Sequence, residues 1–114
     1  MGRTFESQAE FMQRLKEVMA QEAEDHPRTD WMYLSFAGEE DFNGGVIVKA
    51  HGIAHAVYIA TNLGINPHGE VVGHFIPAEM MPDMQWVNRL LTLDQLKEFW
   101  PDMERLSVLE KEGE

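Results

Sequence analysis

The run Trp31-Met32-Tyr33-Leu34-Ser35-Phe36-Ala37 decides the fold. It is short, uncharged and rich in aromatic rings, which reads as a strand. Alternation puts Met32, Leu34 and Phe36 on one face and Trp31, Tyr33 and Ser35 on the other. Downstream, Gly38 to Gly45 reads as a polar turn carrying Glu39, Glu40 and Asp41. Val46-Ile47-Val48 then opens a second strand, apolar enough to be central or covered on both faces. The two strands pair as an antiparallel hairpin.

The reading extends outward from this hairpin. Upstream, Ser7-Gln8-Ala9-Glu10 fits a capping box, and Phe11, Leu15, Val18 and Met19 follow as one helical stripe until Pro27. Downstream, His51 to Leu63 reads as a helix with Ile53, Val57 and Ala60 inward and Gly64 at its left-handed cap. Glu70 to Ile76 is a third strand, closed by Pro77. Met80 to Trp86 is interrupted by Pro82. Thr92 caps a last helix, Leu93 to Trp100, which Pro101 stops.

The expected architecture is therefore α+β: an N-terminal helix, then β-β-α-β-α with a small three-stranded mixed sheet of order 2-1-3 covered by helices. The second strand, middle helix and third strand form a crossover. The middle helix covers one sheet face. The face carrying Trp31 and Tyr33 needs cover from the N-terminal helix or a second subunit. One domain spans residues 1–114, with the helix at 5–26, the core at 30–100 and an acidic tail at 107–114.

At 114 residues, a single core suffices for folding without a staple. There is no cysteine, so disulfides, thiolate nucleophiles and cysteine-based zinc sites are excluded. The polar N-terminus lacks the apolar core of a signal peptide. The longest nearly uncharged stretch, Ile53 to His68, holds His55, Asn62, Gly64 and Pro67, which argues against a membrane span. A cytoplasmic setting is expected, the host cytoplasm if a phage encodes the chain. Nine basic residues against twenty acidic ones give a net charge of −11. That field repels nucleic acid and anionic membrane and attracts a basic partner.

No catalytic constellation emerges, and an enzyme is not expected. His51 and His55 have metal-ligand spacing, with His68 or His74 as a third ligand. However, Gly52 stands where a zinc protease has its glutamate, so no metal or cofactor is expected. The consecutive acids of the 38–45 turn do not match an EF-hand. Ser35 has no nucleophile elbow, and Gly44-Gly45 lacks the lysine of a phosphate loop. Two segments suit ligand binding instead. Asn66-Pro67-His68-Gly69 offers backbone amides and side chains of both hydrogen-bonding kinds. Asn88-Arg89 offers one of the few cations, suited to phosphate or carboxylate. Trp31 or Tyr33 supplies an aromatic face for a base. Met80, Met81 and Met84 cluster beside Trp86.

From Trp31 to Leu96 the chain resembles a family of small uncharacterised proteins of phages and their bacterial hosts. The residues that carry this are Trp31-x-x-Leu34-Ser35-Phe36-Ala37, Gly44-Gly45-x-Ile47-Val48, Leu63-Gly64-Ile65-Asn66-Pro67-x-Gly69-Glu70-Val71, Ile76-Pro77 and Asn88-Arg89-Leu90-Leu91-Thr92. Members of that family often carry glycine after the Asn-Pro pair, where this chain has His68. The element order also resembles that of phage Thoeris anti-defence proteins, which sequester a cyclic ADP-ribose signal. These resemblances imply a non-enzymatic counter-defence protein that holds a nucleotide-derived signal through Trp31, Tyr33, Asn66, His68, Gly69, Asn88 and Arg89, with room for a homo-oligomer. The acidity favours an alternative, an inhibitor or nucleic-acid decoy that binds a basic host protein. A structural phage component without a ligand is the third reading.

Overall fold

The computed structural model describes residues 2–101, with side chains from Glu10 onward; the acidic tail at 107–114 lies outside the described residues. The elements are α1 (Gly2–Asp25), β1 (Asp30–Ala37), β2 (Phe42–Ala50), α2 (Ile53–Asn62), β3 (Glu70–Phe75), two single-turn 3₁₀ helices (Ala78–Met80 and Met84–Trp86) and α3 (Leu93–Phe99). The class is α+β and the sheet order is β2-β1-β3, the order expected. Both pairings of β1 are antiparallel, so the sheet is not mixed. The crossover makes β2 and β3 parallel to one another, but β1 lies between them and no parallel ladder forms.

β1 is buried on both faces. On one side, Met32, Leu34 and Phe36 join Val46, Val48, Ala50, Ala56 and Ala60 under α2. On the other, Tyr33 and Ile47 pack with Leu91 and Leu96. This second cover corrects the expectation of the N-terminal helix or a second subunit. α3 and the strap from Ile76 to Leu91 supply it, bringing Met81, Trp86, Val87, Leu93, Phe99 and Trp100 against the sheet. Three backbone bonds tie the strap to the outer edge of β2: Gly45 N–H to Leu91 O (3.0 Å), Leu91 N–H to Gly45 O (2.8 Å) and Asn88 N–H to Ile47 O (2.8 Å). Gly45 permits this closeness, because a Cβ there would lie 2.6 Å from the Tyr33 ring and 3.1 Å from Leu96.

Local signals held at α3 and at the end of α2. Thr92 Oγ accepts from Gln95 N–H (3.2 Å) while Gln95 Oε1 accepts from Thr92 N–H (2.9 Å), a complete capping box. Gly64 takes φ 73°, and Ile65 N–H reaches back to Ala60 O (2.9 Å). The start of α1 differs from expectation. The helix begins at Gly2, so Ser7 lies inside it rather than at its cap. No breaker separates Arg3 from Ser7, and propagation is cheaper than nucleation. Its stripe is only half used: Leu15 and Met19 are half-buried, whereas Phe11 and Val18 are exposed.

Two substitutions test the second core. Leu96→Ala empties a fully buried site and is expected to cost about 2–5 kcal/mol in urea unfolding. Gly45→Ala overpacks Tyr33 and is expected to cost about 1–3 kcal/mol, whereas exposed Leu63→Ala stays within about 0.5 kcal/mol.

Candidate functional site

The most highly organised polar cluster lies where α1 meets α2. The sequence places no serine, threonine, aspartate or asparagine just before Ile53, so the first amides of α2 have no local cap. Gly52 occupies the N-cap position in an extended conformation and caps with no side chain. The acceptor comes from thirty residues upstream. Glu22 on α1 accepts from Ala54 N–H (2.9 Å, Oε2) and His55 N–H (2.9 Å, Oε1). Its negative charge also suits the positive end of the helix. Glycine at position 52 leaves room for this carboxylate, because a Cβ there would lie 2.6 Å from a Glu22 oxygen and displace it.

Three histidines complete this joint. His51 N–H donates to His55 Nδ1 (3.0 Å), which fixes His55 Nδ1 as an acceptor. His51 Nδ1 donates to the His26 carbonyl (2.8 Å). The His51 and His55 rings stack at 5.0 Å. His26 pairs with Asp30 (2.9 Å) and stacks on Phe75 at 4.4 Å. Burial lowers the His55 pKa from its ordinary value, neighbouring His51 lowers it further, and Glu22 opposes both. The third metal ligand weighed from sequence does not arrive. His74 projects from the sheet face opposite α2, beside Tyr33, and His68 lies in the loop before β3. Among the described residues, no group of three or more histidine, aspartate or glutamate side chains is placed to hold a metal ion.

The seven residues expected to bind a ligand do not converge. Tyr33 is buried, its ring packed edge-on by Trp100 (5.2 Å) and His74 (5.8 Å), and it offers no face for stacking. Trp31 is half-buried in the same core, near the start of β1, where its carbonyl accepts from Ile76 N–H. Gly69 packs on Ala37 at the other end of β1, about 20 Å away along a strand of this rise.

In the 66–69 loop, the Asn66 side chain and the His68 backbone are engaged within the protein. Asn66 Oδ1 accepts from His68 N–H (2.8 Å), and Asn66 Nδ2 donates to Thr61 Oγ (3.0 Å). Asn43 Nδ2 donates to His68 O (2.7 Å). His68 takes φ 68°, the left-handed conformation that glycine adopts without strain. The left-handed turn allows Gly69 to pass close to Ala37 and Asn43. Asn88 and Arg89 are exposed, and the Arg89 guanidinium lies 5.8 Å from the Trp86 ring centre. It pairs with neither Glu79 nor Asp94. Trp86, a stacking partner the sequence reading omitted, is thus the aromatic face beside the cation.

No family model matches the chain, and no curated protein or solved structure matches it. Among the described residues, no helix is long and apolar enough to cross a membrane.

The joint generates two predictions. Glu22→Ala uncovers both amides of α2 and is expected to cost about 1–2 kcal/mol, with Glu22→Gln nearer 1, measured by urea unfolding. Because the folded state holds the His55 pKa below its ordinary value, the unfolded chain binds the proton first. The His55 contribution to stability is complete above that ordinary value, 6.5, and is lost as pH falls below it towards the folded pKa. Thermal unfolding followed between about pH 7.5 and 5.5 should show the loss, with a smaller slope in His55→Asn.

Proposed function

We propose that this is a non-catalytic binding protein that docks on a basic partner protein, in the counter-defence manner that its resemblance to phage proteins implies. The observation that carries this reading is the surface of the strap between β3 and α3. Its two single-turn helices expose Met80 (49%) and Met84 (61%), with exposed Glu79 and Asp83 beside them. Flexible thioethers suit an adaptable apolar contact, and a carboxylate rim suits a cationic partner. The turn between β1 and β2 adds exposed Glu39, Glu40 and Asp41, which form no ion pair among the described residues. The net charge of −11 would speed encounter with a basic surface.

A second reading has its own observation. Trp86, Asn88 and Arg89 place an aromatic ring, an amide and a guanidinium together, a combination that suits a nucleotide-derived signal. Sequestration of such a molecule would need no catalytic group.

Capture from bacterial host lysate, followed by titration with the captured protein, separates the two readings. For a basic partner, affinity should fall about tenfold or more as salt rises and again in Glu79→Lys/Asp83→Lys; Met84→Ser should weaken it independently of salt. Indifference to both salt and charge reversal would overturn this reading. For a nucleotide signal, thermal stability should rise by several degrees with one member of a panel of cyclic dinucleotides, cyclic trinucleotides and cyclic ADP-ribose isomers, and Arg89→Ala should abolish the rise.

A further inference from the structure

The chain treats the two outer edges of its sheet differently. The strap closes the edge of β2 with backbone bonds to Gly45 and Ile47. The edge of β3 is open among the described residues, since β1 is its one neighbour. The bond from Ile76 N–H to Trp31 O fixes which groups point outward. In an antiparallel ladder, bonded and non-bonded pairs alternate. His74, Val72 and Glu70 therefore turn their backbone groups towards Tyr33, Ser35 and Ala37 of β1, and Val71, Gly73 and Phe75 turn theirs outward.

That outward row is a template for another strand, and the usual guards are missing. β3 contains no lysine, arginine or proline, and its pairing with β1 shows no register shift. Exposed apolar side chains flank it: Val72 (50%) on one face, and Phe75 (36%) and Ile53 (41%) on the other.

The sequence of β3 is complementary to itself. Two copies running antiparallel must bond through Val71, Gly73 and Phe75, because only these point outward. A two-fold axis at Val72 pairs Val71 with Gly73 of the second copy and sets Val72 against its own equivalent. It also places Glu70 opposite His74 of the second copy, twice by symmetry, at non-bonded positions where side chains stand closest. Each carboxylate thus meets an imidazole N–H. This matters in a chain of −11, whose copies otherwise repel one another. A register shifted by two residues sets Val72 against His74 and leaves Glu70 without a partner in the opposing strand.

We infer that β3 pairs antiparallel with β3 of a second copy about a two-fold axis at Val72, joining two sheets into one of order 2-1-3-3-1-2. This dimer does not depend on the identity of any ligand or partner.

Sedimentation equilibrium on the full chain tests it. The expected mass at high concentration is twice 13.1 kDa. Val72→Lys, a change at a half-exposed position, should weaken association about tenfold or more while circular dichroism shows an unchanged fold. His74→Glu sets carboxylates opposite each other and should weaken it comparably. Adding Glu70→Lys to His74→Glu should restore the dimer, because the axis at Val72 makes these two positions partners. A wild-type chain that stays monomeric to its solubility limit would overturn the inference. So would a dimer untouched by Val72→Lys and His74→Glu, or a double variant that gains nothing over His74→Glu alone.

Discussion

Everything in this molecule depends on a central strand with two apolar faces. β1 buries Met32, Leu34 and Phe36 on one side and Tyr33 on the other. A strand of this kind is stable only if both sheet faces are covered and both of its edges are paired. β2 and β3 supply the edges, α2 one face, and the strap with α3 the other. The small residues follow from the same demand. Ala56 and Ala60 let α2 lie close to the sheet, and Gly45 leaves room for the Tyr33 ring.

The covers are themselves held by long-range polar contacts. α2 starts without a local cap, and Glu22 fills that place from α1. One carboxylate thus both caps a helix and docks another. The His51–His55 pair beside it links this joint to protonation, because His55 Nδ1 can accept from His51 N–H only while unprotonated. Two histidines at metal-ligand spacing serve here to shape a helix start. The hydrogen bonds of Asn66 and the left-handed backbone of His68 likewise serve the loop's own conformation.

The surface left over is the one on which the proposed docking rests. It is acidic and carries methionines on a strap whose underside is core. The strap therefore has two roles, closing the β2 edge and presenting Met80 and Met84 outward. The residues singled out from sequence for a ligand are divided between the core, a self-satisfied loop and the Arg89–Trp86 pair.

Local chemistry determined much from sequence alone. Alternation in Trp31–Ala37, the Thr92–Gln95 box and Gly64 each act within a few residues, so strand, cap and helix end could be read directly. The hairpin and crossover made 2-1-3 the simplest order, which the sheet adopts; that β3 lies beside β1 and not β2 is a tertiary outcome. Tertiary structure alone decided which elements cover which face, that Tyr33 is core rather than binding surface, and that Glu22 caps α2. Those outcomes join residues tens of positions apart, and periodicity carries no information about the far partner. The sequence pattern began α2 at His51; its start at Ile53, and the carboxylate that caps it, depend on how α1 and α2 pack.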